Sequence, residues 1–405
     1  MQTRAMLLTL VLLGCIHPAR AALTWDSATT GKTLTGELIE PKTSADGPVP
    51  TVVYLKNLSI TRLGQEADET ILADLRKSGH LILVLDYAHH PKAVSPDLNA
   101  DVLKLRENIV DAKQKTLLAD RKIDVNHLFI LMEGFRLKRD VEFARESGQG
   151  GRVLGMDIIY PSKPSKPVPA LMEITCDNKD RMGSASLLFC HDTLLEGGEA
   201  AGFAVAMVDH PVPPPYKGID DPMPQCIERM KAAVRTLRAQ SPELQLNGKI
   251  GVMGFSRGGP MAALLAATNG SADLEGDGLH PDVSSRVQAA LIHGNYYDYA
   301  DLPPTDRMYP RFEKAWGKRE SDPQKWAAHG ATFYLTKDAP PMFLDTSDAE
   351  SPEFRAGLEN FAKRLDELGV EHVYQVDRDG RGHRVSTDPK TLSAIYDFFR
   401  THLSP

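Results

Sequence analysis

The sequence predicts an α/β protein built on a mainly parallel sheet. Short apolar runs alternate with longer amphipathic ones along most of the 405 residues, the rhythm of βαβ units. Several of these runs, Leu81–Asp86 (LILVLD) among them, are apolar without interruption, as in a strand buried on both faces. A third observation is local. The apolar run Lys249–Met253 leads into Gly254-Phe255-Ser256-Arg257-Gly258, and a helix-like run, Pro260–Ala267, leads straight out.

Composition sets the class. With 42% hydrophobic and 25% charged residues, the chain is ordinary for a globular protein and wrong for a disordered or fibrous one. A formal charge of −7 gives no electrostatic footprint for nucleic acid or an anionic membrane surface. Arg4, the apolar run Ala5–Ile16 and Ala19-Arg20-Ala21 form the three parts of a secretory leader. Residues 1–21 are therefore expected to be removed, leaving a secreted or periplasmic protein. Leu12-Leu13-Gly14-Cys15 resembles a lipoprotein processing site. Leu13 is a poor residue there, so anchoring through Cys15 is the lesser expectation. No other segment has the apolar length to span a bilayer.

Without the leader, three cysteines remain, Cys176, Cys190 and Cys226. That number allows one disulfide and one thiol, and spacing does not choose the pair. There is no C-x-x-C, and in His89-His90 and His191-Asp192 adjacent side chains on a strand would point opposite ways. No metal or other cofactor is expected, and the oligomeric state is left open.

The elements follow in order, and the same pattern occurs twice. Residues 33–41 alternate like a strand; Pro50–Leu55 is a buried strand; Leu63–Ser78 reads as an amphipathic helix ended by Gly79. Leu81–Asp86 is a strand, Asp97–Leu118 a helix, and Val125–Met132 a strand running into Gly134-Phe135-Arg136. The second pass begins with strands at Val153–Tyr160 and Pro169–Ile174. Leu194–Ala201 reads as a helix, Phe203–Asp209 as a strand and Pro224–Ser241 as a helix. Lys249–Met253 is a strand ending in Gly254-Phe255-Ser256. The separation of Asp86 from Gly134 nearly equals that of Asp209 from Gly254. Residues 22–148 are therefore expected to be a diverged, partial copy of the first half of residues 150–405. Each half-sheet alone leaves apolar surface, so the two units should pack together.

The chemistry lies in the second copy. G-x-S-x-G between a strand and a helix is the pattern of a nucleophile elbow. Its glycines give strand and helix room to approach, and the helix N-terminus faces the nucleophile. A serine hydroxyl is a weak nucleophile and needs a base. His383 is the candidate, in the Gly-rich loop Asp379-Gly-Arg-Gly-His-Arg384 between the strand Val373–Val376 and the helix Pro389–Leu403. The base in turn needs a carboxylate to fix its tautomer. Asp345, Asp348 and Glu350 all follow the short strand Pro341–Leu344. In the first copy Arg136 stands where Ser256 stands, and no second His–acid set follows, so that half reads as catalytically dead.

Four stretches, Ala201–Asp209, Val252–Gly259, Lys337–Asp348 and Gly380–His383, resemble the esterase and dienelactone-hydrolase-like group of α/β-hydrolases (acetyl xylan esterases among them). That resemblance implies a mainly parallel eight-stranded sheet and acyl transfer to water through an acyl-serine. Dienelactone hydrolases themselves use a cysteine nucleophile, so Ser256 points to the esterase side. The register of Pro352 in related sequences implies Asp348 as the acid, with Asp345 second, giving the order Ser256, Asp348, His383. Many relatives carry His-Gly-Gly-Gly after an early strand; here the run is Thr175-Cys176-Asp177-Asn178. The resemblance then implies an oxyanion hole from the Arg257 N–H and a second N–H at Cys176 or Asp177. Asn295–Tyr299, Tyr309 and Trp316 would suit a sugar or aryl group as a lining, or else belong to a packed insertion. The expected activity is hydrolysis of a carboxylic ester on a small molecule or an acetylated or feruloylated carbohydrate. A non-catalytic binding protein and a serine peptidase of the same fold are the alternatives.

Overall fold

The computed structural model describes residues 20–26, 33–42, 47–56, 68–86, 123–145, 152–174, 195–196, 199–200, 202–209, 222–386 and 388–404. Residues 1–19, the helix expected at 97–118, the histidine pairs, Cys176, Asp177 and Cys190 lie outside these. Among the described residues, no helix is long and apolar enough to cross a membrane.

Two sheets form the molecule. The first contains β1 (Arg20–Asp26), β2 (Thr33–Ile39), β3 (Val49–Lys56), β4 (Leu81–Asp86) and β5 (Ile123–Met132), ordered β1-β2-β4-β3-β5. The second begins with β6 (Phe135–Arg145), β7 (Val153–Pro161) and β8 (Val168–Ile174). Two short strands, β9 (Leu195–Glu196) and β10 (Glu199–Ala200), pair with each other in a separate hairpin. The second sheet continues with β11 (Ala204–Val208), β12 (Leu246–Gly254), β13 (Ala289–His293), β14 (Met342–Ser347) and β15 (His372–Asp377). Its order is β15-β14-β13-β12-β8-β11-β7-β6.

The first sheet repeats the β6-to-β12 half of the second. In each, two antiparallel pairings are followed by two parallel ones, with the third and fourth strands exchanged in position. Each also has a register shift between its third strand and the last strand of the half, at Pro50/Thr51 in one and Leu246/Ile250 in the other. The uninterrupted apolar runs do lie in the sheet interiors. Leu81 through Leu85 are all buried, because strands flanked on both sides have no polar face.

Three expectations are corrected. Gly134-Phe135-Arg136 is not a vestigial elbow: Glu133 and Gly134 form a two-residue turn that carries the chain from β5, at the edge of the first sheet, to β6, at the edge of the second, with Gly134 at φ 78°. A left-handed φ at that turn is what a residue without Cβ adopts at least cost. Arg136 therefore lies within β6, paired with Tyr160 of β7, and its guanidinium meets Asp74 at 2.9 Å. Because β6 is the edge strand of the second sheet, that sheet starts at Phe135 rather than at 150. The segment read as a helix at 194–201 contains β9 and β10. Of the helix expected over 63–78, Asp68–Lys77 is helical, and residues 63–67 lie outside the described residues. Arg20 and Ala21, the last residues of the expected leader, open β1.

Alternation across the sheet divides the core. Ile158, Ala206 and Val208 face the helices Pro222–Ala239 and Gly258–Ala267 in the main cluster. Leu171, Met253 and Phe343 face the helix Pro389–Leu403 on the other side. Ile159, Val205 and Met207 instead join the core of the first sheet, with Phe129, Leu131 and Met132. The two units thus share one apolar seam. Burying an aliphatic side chain of this size is worth about 1.5–3 kcal/mol, so three at one junction tie the units firmly. Polar contacts flank it: the Arg139 guanidinium lies 5.3 Å from the Phe129 ring centre and 3.4 Å from His80 Nε2.

Candidate active site

The carboxyl ends of β12, β13 and β14 converge on Ser256. β12 ends at Gly254, and the helix Gly258–Ala267 begins two residues beyond the serine. Ser256 has φ 53°, a left-handed backbone that costs a non-glycine residue energy and marks a site held by its surroundings. The approach is tight: a Cβ on Gly254 would collide with the carbonyl of Gly258, and one on Gly259 would come within 2.8 Å of the His293 carbonyl oxygen. Every residue of that helix is buried, and the positive end of its dipole lies at the elbow. Asn295 Nδ2 donates to the Ser256 carbonyl at 2.7 Å, fixing the turn from the β13 side.

The loop after β15 brings His383 over the serine. Its Nε2 lies 2.8 Å from Ser256 Oγ and its Nδ1 lies 2.6 Å from Glu350 Oε2. A carboxylate only accepts, so Nδ1 donates to Glu350 and Nε2 is left to accept the serine proton. The Glu350 side chain is fully buried. Burial raises its pKa, but the His383 hydrogen bond, the Ser351 N–H at 2.7 Å and the charges of His383 and His293 outweigh this, and it ends below the usual glutamate value.

The acid at His383 is thus Glu350, not Asp348. The Asp348 carboxylate accepts from the Gly380 N–H at 3.1 Å and the Ser347 hydroxyl at 3.3 Å, bracing the loop that carries His383. Asp345 is also engaged elsewhere, with Arg381 Nη2 at 2.8 and 2.9 Å from its two oxygens and His293 Nδ1 at 3.1 Å. The turn decides between them. Asp348 N–H bonds the Asp377 carbonyl and Glu350 N–H returns to the Ser347 carbonyl, which turns Glu350 inward and Asp348 toward the β15 loop.

The remaining expected site residues fall as follows. Arg257 follows Ser256 as the residue flanking the helix N-terminus. Cys176 and Asp177 lie outside the described residues; β8 ends at Ile174, the register partner of Gly254. Tyr309 and Trp316 do not line the site. They are buried with Tyr296, Tyr299, Phe312 and Trp326 in an aromatic cluster that forms the insertion's own core. The sequence reading missed His293 and Arg381 as neighbours of the site; Asn295, expected in the lining, braces the turn at Ser256. A polar residue ending a buried apolar strand (Ala289–His293) is the available signal for the first.

One group among the described residues has the donor types for a metal ion: His293, Glu350 and His383, with ligand atoms within 4.8 Å of one another. Glu350 Oε2 and both His383 nitrogens are already committed to the Ser256–His383–Glu350 line, so an ion there would have to break it.

The BD-FAE family model matches residues 156–351. No curated protein matches the chain. Among solved structures, a truncated carbohydrate esterase from gut microbiota is similar at TM-score 0.55 and 21% identity, over 66% of this chain and 96% of that one. An esterase of the Planctomycetes species Thermogutta terrifontis, bound to propionate, is similar at TM-score 0.51 and 18% identity, over 66% and 96%. The bifunctional GH43-CE protein of Bacteroides eggerthii is similar at 0.52 and 23%, over 65% of this chain and 38% of that one. The chain has the α/β-hydrolase fold. In α/β-hydrolase terms, β6–β15 without the small β9–β10 hairpin form the sheet, Ser256 occupies the elbow after β12, and the acid and histidine follow β14 and β15.

Proposed function

We propose that the protein is a serine hydrolase of carboxylic esters, with Ser256 as nucleophile, His383 as general base and acid, and Glu350 as the carboxylate that orients and balances His383. The observation that carries this reading is the continuous line Ser256 Oγ, His383, Glu350 with heavy-atom separations of 2.8 and 2.6 Å. Both fall within the reach proton transfer needs.

In this mechanism His383 Nε2 takes the Ser256 proton as Oγ attacks the ester carbonyl. Negative charge develops on the carbonyl oxygen, next to the N-terminus of the helix Gly258–Ala267. The Arg257 N–H is one donor to it, and the segment of Cys176 and Asp177 supplies the second. His383 then protonates the departing alkoxide, leaving an acyl-serine. Water enters, gives its proton to His383, and attacks the acyl carbon; release of the acid restores Ser256. Glu350 stays ionised and stabilises the imidazolium in both halves.

The substrate reading is an ester on a small molecule or a carbohydrate, acetylated or feruloylated. It is supported by the BD-FAE match and by the carbohydrate esterase among the structural relatives. The leader-like residues 1–21 support action outside the cytoplasm. The test is hydrolysis of p-nitrophenyl acetate and a panel of acetylated and feruloylated sugars by the wild type and Ser256→Ala. The wild type turns over at least one ester, and the variant loses at least about three decades of kcat/KM. A wild type that hydrolyses none and takes no fluorophosphonate label on Ser256 sinks the proposal.

A further inference from the structure

Resting on that reading, we propose that His293 is a positioning residue for the catalytic carboxylate, the centre of a buried charged line that sets where Glu350 stands. The ring is 3% exposed and lies between two acids: Nδ1 is 3.1 Å from Asp345 Oδ2, and Nε2 is 3.8 Å from Glu350 Oε2. Behind Asp345 stands Arg381, which bonds both its oxygens and also the Thr346 carbonyl at 3.2 Å. The order along the line is Arg381, Asp345, His293, Glu350, His383, Ser256. Cationic or proton-bearing groups alternate with carboxylates along it.

Three facts make this more than packing. His293 Nε2 is buried and, among the described residues, has no hydrogen-bond partner other than this long approach to Glu350; an orphaned buried nitrogen is costly, so its aim at a catalytic carboxylate has a use. Second, Glu350 has one more rotatable bond than the aspartate that the sequence led us to expect, and its Oε2 must be held for Nδ1 of His383. The Ser351 N–H holds only Oε1. Third, the His293 backbone is itself clamped. Its carbonyl accepts from the Tyr297 hydroxyl, and its ring lies 4.8 Å from that of Phe255, whose ring is 5.2 Å from that of His383. The charge of His293 also contributes to holding Glu350 below the usual glutamate range.

Two substitutions separate the nitrogens. In His293→Asn the amide stands near Nδ1 and keeps Asp345, while nothing faces Glu350. In His293→Gln the amide reaches the place of Nε2. On the full chain, His293→Asn is expected to lower kcat about a hundredfold with KM within about twofold, and His293→Gln to recover at least half of that loss on a logarithmic scale. The low-field proton resonance of His383 Nδ1–H is expected to move or vanish in His293→Asn and to return in His293→Gln. Wild-type kcat and an unmoved resonance in His293→Asn would overturn the proposal. So would equal losses in both variants accompanied by equal losses of thermal stability. If the wild type hydrolyses no ester and takes no fluorophosphonate label, the esterase reading fails separately, and the resonance in the two variants still decides the role of His293.

Discussion

Glu350 Oε2 lies 2.6 Å from Nδ1 of His383, while the carboxylate of Asp348, two residues earlier, bonds the Gly380 N–H at 3.1 Å. Two acids of the same turn therefore have different tasks, and substitution separates them. Glu350→Gln keeps the volume but puts a neutral amide beside the imidazolium. Its kcat on p-nitrophenyl acetate should fall by about two to four decades. Asp348→Asn keeps an acceptor for Gly380 and should stay within about tenfold of wild type. The reverse order would remove Glu350 from the triad.

The elbow makes a steric prediction. A methyl group at residue 254 meets the Gly258 carbonyl and lies 2.8 Å from the Ala262 methyl carbon. Gly254→Ala must push strand and helix apart in a fully buried place, a cost of about 1–3 kcal/mol or more. Its urea midpoint should drop and its activity should fall with it. An unchanged midpoint would mean that the helix is free to retreat.

Glu173 on β8 is buried, and neither carboxyl oxygen has a hydrogen-bond partner among the described residues. Burial pushes its pKa well above the usual glutamate value. The folded chain therefore holds this proton after the unfolded chain has released it. The contribution to stability is fully present below the unfolded value near 4.3 and is lost as pH rises toward the folded one. Glu173→Gln removes the titration. Its thermal midpoint should exceed that of wild type at pH 8, with the gap closing at pH 4.5. A gap independent of pH would refute the assignment.

His80 shows the opposite direction. Burial, assisted by the charge of Arg139, lowers its pKa from 6.5 to about 4. Between those values the unfolded chain takes up a proton that the folded chain refuses, so stability is present above 6.5 and falls as pH drops. The full effect is on the order of 3 kcal/mol. His80→Asn keeps a donor for the Leu75 carbonyl, which Nδ1 meets at 3.2 Å. Its urea midpoint should change less than that of wild type between pH 7 and 4.5. Parallel slopes would show that the ring is not the group responsible.

The strands buried on both faces were legible because no other element needs such runs, and Ser256 and His383 because each sits in a glycine-bearing turn at a sheet edge. Glu350 was not. Asp345, Asp348 and Glu350 fall within six residues at the end of β14, and the choice among them depends on two backbone hydrogen bonds and on Arg381, which claims Asp345. The edge strand β6 was also hidden. Its sequence, FRLKRDVEFAR, is charged because one edge faces water and because Arg136, Lys138 and Arg139 reach across to other elements. Only the strand order exposes Glu133-Gly134 as a turn between two sheets where the sequence suggested an elbow.

The turn at Glu133 and Gly134, which joins the two sheets, also determines where the chain can be cut. A fragment opening at residue 150 would hold every catalytic side chain, yet it would lose β6 and bare the edge of β7. It would also uncover Ile159, Val205 and Met207, which are closed over by the first sheet. Such a fragment gains a sticky edge beside an apolar face, the combination that drives aggregation. The repeated half is in this sense a covalently attached cover, and the molecule divides less readily than its repeat suggests.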